Sequence, residues 1–117
     1  MEKIILYHNP RWGKSREAVM LLQDKKIKYK IVEYVKTPLK KDEVLSLSIK
    51  LGKRPKKFVR LKEKDFKDNN LKIHIEDDDK MAEYIARFPK IMERPIVVRG
   101  ETAIIARPPK KILELLK

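Results

Sequence analysis

The sequence predicts an α/β fold: a mixed β-sheet flanked by helices, with a helical block inserted between its two halves. Three observations predict it. Ile4-Ile5-Leu6, a segment of helical spacing and a β-branched, aromatic run follow one another near the start of the chain. Their combined length, about thirty residues, is that of a βαβ unit with parallel strands. Near the end, Ile96-Val97-Val98 and the run from Thr102 to Ala106 flank a glycine turn and lead into an apolar helix. Between these halves, residues 37–88 read as helical.

Each element has its own signal. Residues 3–7 read as a buried strand. Residues 14–25 read as a helix, with Ala18, Val19, Leu21 and Leu22 on or near one face. Residues 28–34, Lys-Tyr-Lys-Ile-Val-Glu-Tyr, have strand composition. Thr37-Pro38 breaks the pattern and can start a new helix. Residues 41–51 carry Val44, Leu45, Leu47, Ile49 and Leu51, and Gly52 stands where a helix C-terminal glycine belongs. Residues 53–73 are dense in charge, and Phe58, Val59 and Leu61 suggest a short helical piece there. Glu76-Asp77-Asp78-Asp79 precedes a helix over 77–88, where acidic side chains favour the helix dipole. Met81, Ile85 and Phe88 form its core-facing stripe, and Pro89 ends it. Arg94-Pro95-Ile96-Val97-Val98 reads as a strand, Arg99-Gly100-Glu101 as a hairpin turn and Thr102 to Ala106 as the return strand. Pro108-Pro109 opens the last helix, with Ile112, Leu113, Leu115 and Leu116 apolar. Residues 1–117 are expected to make one domain, with 37–88 an insertion within it.

Composition narrows the function. The chain is 42% hydrophobic, enough for a core, so wholesale disorder is not expected. No apolar run has the length of a membrane span. Met1-Glu2-Lys3 runs directly into the first strand, leaving no room for a signal peptide, so the expected compartment is the cytoplasm. There is no cysteine, which rules out disulfides, thiolate metal sites and thiol chemistry. His8 and His74 are far apart and lack metal-ligand spacing, so no metal site is expected, and no cofactor is implied. The formal net charge of +13 attracts anions: nucleic acid, acidic protein or anionic lipid would each fit. A lysine-rich solvated surface outranks a dedicated nucleic-acid site.

One stretch concentrates the candidate chemistry. Tyr7-His8-Asn9-Pro10-Arg11-Trp12-Gly13-Lys14-Ser15-Arg16 turns from the first strand into the first helix. Backbone N–H groups at a helix start lack partners within the helix, and with the dipole they suit an anion or a thiolate. Trp12, at the tip, can donate one hydrogen bond and little else. Arg60, Arg94 and Arg107 each stand at an element boundary, where side chains can converge on a cleft. The arginine fork suits tetrahedral oxyanions through paired, charge-assisted hydrogen bonds.

These motifs resemble those of the arsenate reductase family, the ArsC-like, glutaredoxin-linked type with a thioredoxin-like fold. The stretch from Tyr7 to Arg16 looks like its active-site loop. Arg94-Pro95-Ile96-Val97-Val98, and Arg107-Pro108-Pro109 with Ile112-Leu113, look like its second and third motifs. Phe58-Val59-Arg60 falls where the family carries an arginine, and the match spans essentially the whole chain. The resemblance implies a mixed sheet with a helical insertion and a cis Arg94–Pro95 peptide. It implies that Arg60, Arg94 and Arg107 hold the arsenate oxyanion, with phosphate or sulfate as further candidates. His8 and Ser15 match residues flanking the reactive thiol and favouring its ionised form, and Asn9 and Gly13 belong to the same loop.

The departure from the pattern decides the mechanism. The family's nucleophilic cysteine falls at Trp12, and indole cannot replace a thiolate. The family reaction, in which glutathione and glutaredoxin complete the reduction, is therefore not expected. Related transcription regulators of the Spx type use a Cys-x-x-Cys pair in this loop. Here the matching positions are Trp12 and Ser15, so that redox switch is absent as well.

Three readings of Trp12 follow. Its indole folds over the helix start and plugs the former pocket, which is the preferred reading. Alternatively it is an exposed contact for a partner, since tryptophan is enriched at binding hot spots. The third makes tryptophan a change from cysteine, whose codon differs by a single base; the native protein would then be a working reductase.

For function, a redox-inactive family member ranks first. An interaction module that docks on RNA polymerase, as the regulators do, ranks second. An enzyme using His8 as acid or base on an anionic substrate ranks last. Lysines and arginines crowd residues 50–67, with Phe58 and Phe66 among them. A solvated face is the first reading there, a phosphate-bearing or acidic protein partner the second, and sequence-specific nucleic-acid binding the third.

Overall fold

A computed structural model describes residues 4–116. Met1-Glu2-Lys3, including the residue at which the first strand is expected to open, and Lys117 lie outside the described residues. The chain divides into two compact units: Pro38–Glu93, and a sheet unit built from the segments on either side of it.

The sheet unit contains β1 (Ile4–Tyr7), α1 (Gly13–Asp24), β2 (Tyr29–Val32), β3 (Ile96–Arg99), β4 (Thr102–Ile105), a 3-10 turn at Pro109–Lys111, and α5 (Ile112–Leu115). Strand order is β2-β1-β3-β4. β1 runs parallel to β2, with Ile4 opposite Tyr29, and antiparallel to β3, with Tyr7 opposite Ile96. β3 and β4 form a hairpin in which Arg99 faces Thr102, leaving a loop of Gly100 and Glu101. Gly100 has φ of 57°, the left-handed conformation that tight hairpin loops demand.

Burial follows the apolar pattern. Ile4 and Leu6 of β1 are buried with Ala18 and Leu22 of α1, which stand four residues apart on one helical face. Ile112 and Leu115 of α5, with Val97 and Ala106, complete that core. β2 ends at Val32, not at residue 34, because the Glu33 carbonyl instead accepts turn hydrogen bonds from Lys36 and Thr37. β3 begins at Ile96, two residues later than the sequence pattern suggests. Pro95 has no N–H to give to a ladder.

The helical unit contains α2 (Lys41–Leu51), α3 (Lys64–Asp68) and α4 (Asp78–Arg87), with 3-10 turns at Pro55–Lys57, Leu71–His74 and Pro89–Ile91. The Lys40 backbone N–H donates to Glu43 Oε1 at 3.0 Å to start α2, and Gly52 ends it in the left-handed region. Of the apolar residues in α2, Val44 and Leu47 are buried, whereas Ile49 is 81% exposed and covers no core. Asp77 caps α4 by accepting from the Lys80 N–H at 3.0 Å. Met81 and Ile85 are buried as expected, but Phe88 is only partly buried. Phe88 is the cap residue (φ −122°, ψ 72°), so its side chain has left the helical stripe.

The short helical piece expected around Phe58, Val59 and Leu61 is not helical. Val59 forms an antiparallel bridge with Met92. The Arg60 N–H donates to the Ile91 carbonyl at 2.6 Å and the Glu93 N–H to the Phe58 carbonyl at 2.8 Å. These bonds hold the backbone in a bridge in place of a helical turn, and Leu61 is left 54% exposed. Helical turns flank this bridge on both sides.

Candidate functional site

The loop joining β1 to α1 is held by its own short-range bonds. The Arg11 N–H donates to Asn9 Oδ1 at 3.2 Å, and the Trp12 N–H to the Asn9 carbonyl at 3.0 Å. The Arg16 N–H donates to the Trp12 carbonyl at 3.1 Å, and Arg16 Nη1 reaches back to the Pro10 carbonyl at 3.0 Å. The fully buried Ser15 hydroxyl accepts from the Asn9 N–H across 3.4 Å. Gly13 opens α1, and a methyl group there would meet Arg16 Nη2 at an ordinary 3.8 Å.

Trp12 is the N-cap of α1, in extended conformation. It brings no side-chain acceptor, and the first turn holds no acidic residue. The positive end of the helix is therefore not neutralised by its own first turn. The Trp12 side chain lies on Arg94 instead. The Arg94 Cζ is 3.7 Å from the indole centroid, a face contact between cation and π-system. Arg94 is only 4% exposed, while Trp12 is 45% exposed.

His8 follows β1 and donates its backbone N–H to the Val32 carbonyl at 2.9 Å. Its ring is buried, and Nδ1 has no hydrogen-bond partner among the described residues. Burial holds the imidazole below its ordinary pKa; Glu33 acts against that shift and Arg16 adds to it. The shift favours the neutral imidazole over the charged one. Among the described residues, the Arg94–Pro95 and Arg107–Pro108 peptides are cis. The Ala106 N–H donates to the Pro95 carbonyl at 2.8 Å, which brings the two arginine-proline pairs to the same end of the hairpin. Arg107 is exposed there.

Arg60 lies in the helical unit. Its Nη1 is 3.1 Å from Glu63 Oε2 and its Nε 3.8 Å from Glu93 Oε1, so two carboxylates already face this guanidinium. The basic stretch is similarly engaged: Arg54 bonds to Asp78 and Glu76, and Lys56 bonds to Glu76. No cluster of three or more metal-ligating side chains occurs among the described residues. No helix among them is long and apolar enough to cross a membrane.

The ArsC family model matches residues 7–115. The chain belongs to the ArsC family. It is 35% identical over 114 residues to an arsenate reductase of Haemophilus influenzae, covering 97% of this chain and 98% of that one. It is 34% identical over 116 residues to the uncharacterised protein YfgD of Escherichia coli K12, covering 98% of each. Among solved structures, an arsenate reductase from Vibrio cholerae superposes with a TM-score of 0.91 at 35% identity, covering 97% of both chains. The mixed sheet with its helices is thus the thioredoxin-like ArsC fold, as the motifs implied. This ArsC-family chain contains no cysteine anywhere.

Two features of the ArsC loop escaped the sequence reading. One is Arg16, whose clasp on Pro10 could have been suspected from its place one turn into α1. The other is the Trp12–Arg94 contact, which joins residues far apart in sequence and leaves no local signal.

Proposed function

We propose that this ArsC-family chain binds a small oxyanion such as arsenate, phosphate or sulfate and does not reduce it. The observation that carries the reading is Trp12: an indole stands at the loop position of the family nucleophile, in a chain without a thiol. Reducing arsenate to arsenite needs two electrons, which thiols supply as they become a disulfide. With no thiol of its own, the chain cannot form the mixed disulfide that glutaredoxin would resolve.

The anion-binding half of the reading is supported by what the loop retains. Arg94 and Arg107 stand at one end of the hairpin, and the α1 N-terminus has no acid of its own. His8, in the neutral form that burial favours, can offer or accept one hydrogen bond. Arg60 is assigned to the same anion by the resemblance, and Glu63 and Glu93 would have to release it. A cytoplasmic setting goes with this reading. Docking on RNA polymerase ranks lower, because Arg54 and Lys56 of the basic stretch already pair with Glu76 and Asp78.

The test is turnover. Purified protein given arsenate, glutathione and glutaredoxin should produce no arsenite above background, and clear turnover overturns the proposal. Under the same conditions Trp12→Cys should gain activity if the arginines still form a competent site. Binding is read separately, from the emission of Trp12, the one tryptophan in the chain, during phosphate, sulfate and arsenate titrations.

A further inference from the structure

We infer that Trp12 is a movable plug, and that an oxyanion reaches Arg94 only by displacing the indole. This rests on the oxyanion reading above and adds how access to the site is controlled. Arg94 is 4% exposed, so little of this side chain meets solvent while its neighbours stay in place. Trp12 is the side chain seen to lie on that guanidinium, at 3.7 Å, and it is itself 45% exposed. It is therefore the solvent-facing part of what covers Arg94.

The backbone beneath it is held in place. Trp12 is tied through its N–H to Asn9 and through its carbonyl to Arg16, while Arg16 also clasps Pro10. Opening is then a rotation of one side chain, with the loop staying as it is. The indole and the anion draw on the same cation by different means. The indole offers its π-face. The anion offers lone pairs to the N–H fork, the stronger kind of contact. An anion at sufficient concentration displaces the ring, and the closed fraction lowers its apparent affinity.

Calorimetric titration of inorganic phosphate at low ionic strength tests this, using the unaltered protein, Trp12→Ala and Trp12→Phe. Trp12→Ala should bind phosphate about tenfold more tightly, the equivalent of a stack worth about 1.4 kcal/mol. Trp12→Phe, a weaker π-partner, should fall between, and it preserves the test if the alanine variant fails to fold. In the unaltered protein, phosphate should shift the indole emission to the red as the ring moves into water. Equal affinity in the unaltered protein and Trp12→Ala overturns the plug and leaves the oxyanion reading standing. Weaker binding by Trp12→Ala makes the ring a wall of the site and overturns the plug. Absence of phosphate binding in all three proteins overturns both.

Discussion

Lys56 Nζ reaches both carboxylate oxygens of Glu76, at 2.7 and 3.1 Å. Arg54 bonds to the same residue through one carboxylate oxygen and the backbone carbonyl. Lys56 first, then Arg54, holds the Glu76 carboxyl below its ordinary pKa. Carboxyl-carbon NMR should show Glu76 titrating at lower pH than an ordinary glutamate. Lys56→Ala should restore most of the difference and Arg54→Ala a smaller part. An unshifted Glu76 in the native protein would remove this pair from solution.

His8 makes stability depend on pH. Its folded pKa lies below the ordinary 6.5, through burial, with Glu33 opposing and Arg16 reinforcing. The unfolded chain then binds a proton that the folded chain refuses. Its contribution is at its best above pH 6.5 and declines as pH falls toward the folded pKa. Urea midpoints should drop across that window, and His8→Phe should flatten the drop. An unchanged slope in His8→Phe would assign the effect to other groups.

Gly52 ends α2 with φ of 65°, and a Cβ placed there meets nothing within 4 Å. The cost of Gly52→Ala is therefore backbone strain without a clash. Thermal or urea denaturation should show a loss of about 1 kcal/mol. A neutral result would mean that the α2 terminus relaxes out of the left-handed region.

Leu6 sits in a central strand and is fully buried against α1 and α5. Leu6→Ala should lose roughly 2–5 kcal/mol in denaturant titrations. Ile49→Ala, on the exposed side of α2, should lie within about 0.5 kcal/mol of the unaltered protein. Similar losses at both positions would contradict a core that includes Leu6 and leaves Ile49 outside.

Where the fold was legible, the deciding signals were local. Gly52 and the acidic run before Asp78 marked helix ends, and the glycine between Val98 and Thr102 marked the hairpin. Val59 was misread because its conformation is set by Met92, more than thirty positions away, whose backbone pairs with it. Ile49 and Phe88 show the other failure. Apolar spacing names a helical face, but it does not say where neighbours stop covering it or where the helix ends. Within the site, the loop from Tyr7 to Arg16 was visible as a motif. The covering of Arg94 was not, because a cation–π contact between distant residues has no pattern in the chain.

Proline-bearing Arg94 and Arg107 stand at the open end of a ladder whose closed end is Gly100-Glu101. That arrangement works like a caliper. Extra residues at the tip leave the spacing of the jaws unchanged. Removing a single residue from either strand slides one jaw along the other and turns its side chains to the opposite face. Sequence change should thus accumulate at the tip and be resisted along the arms.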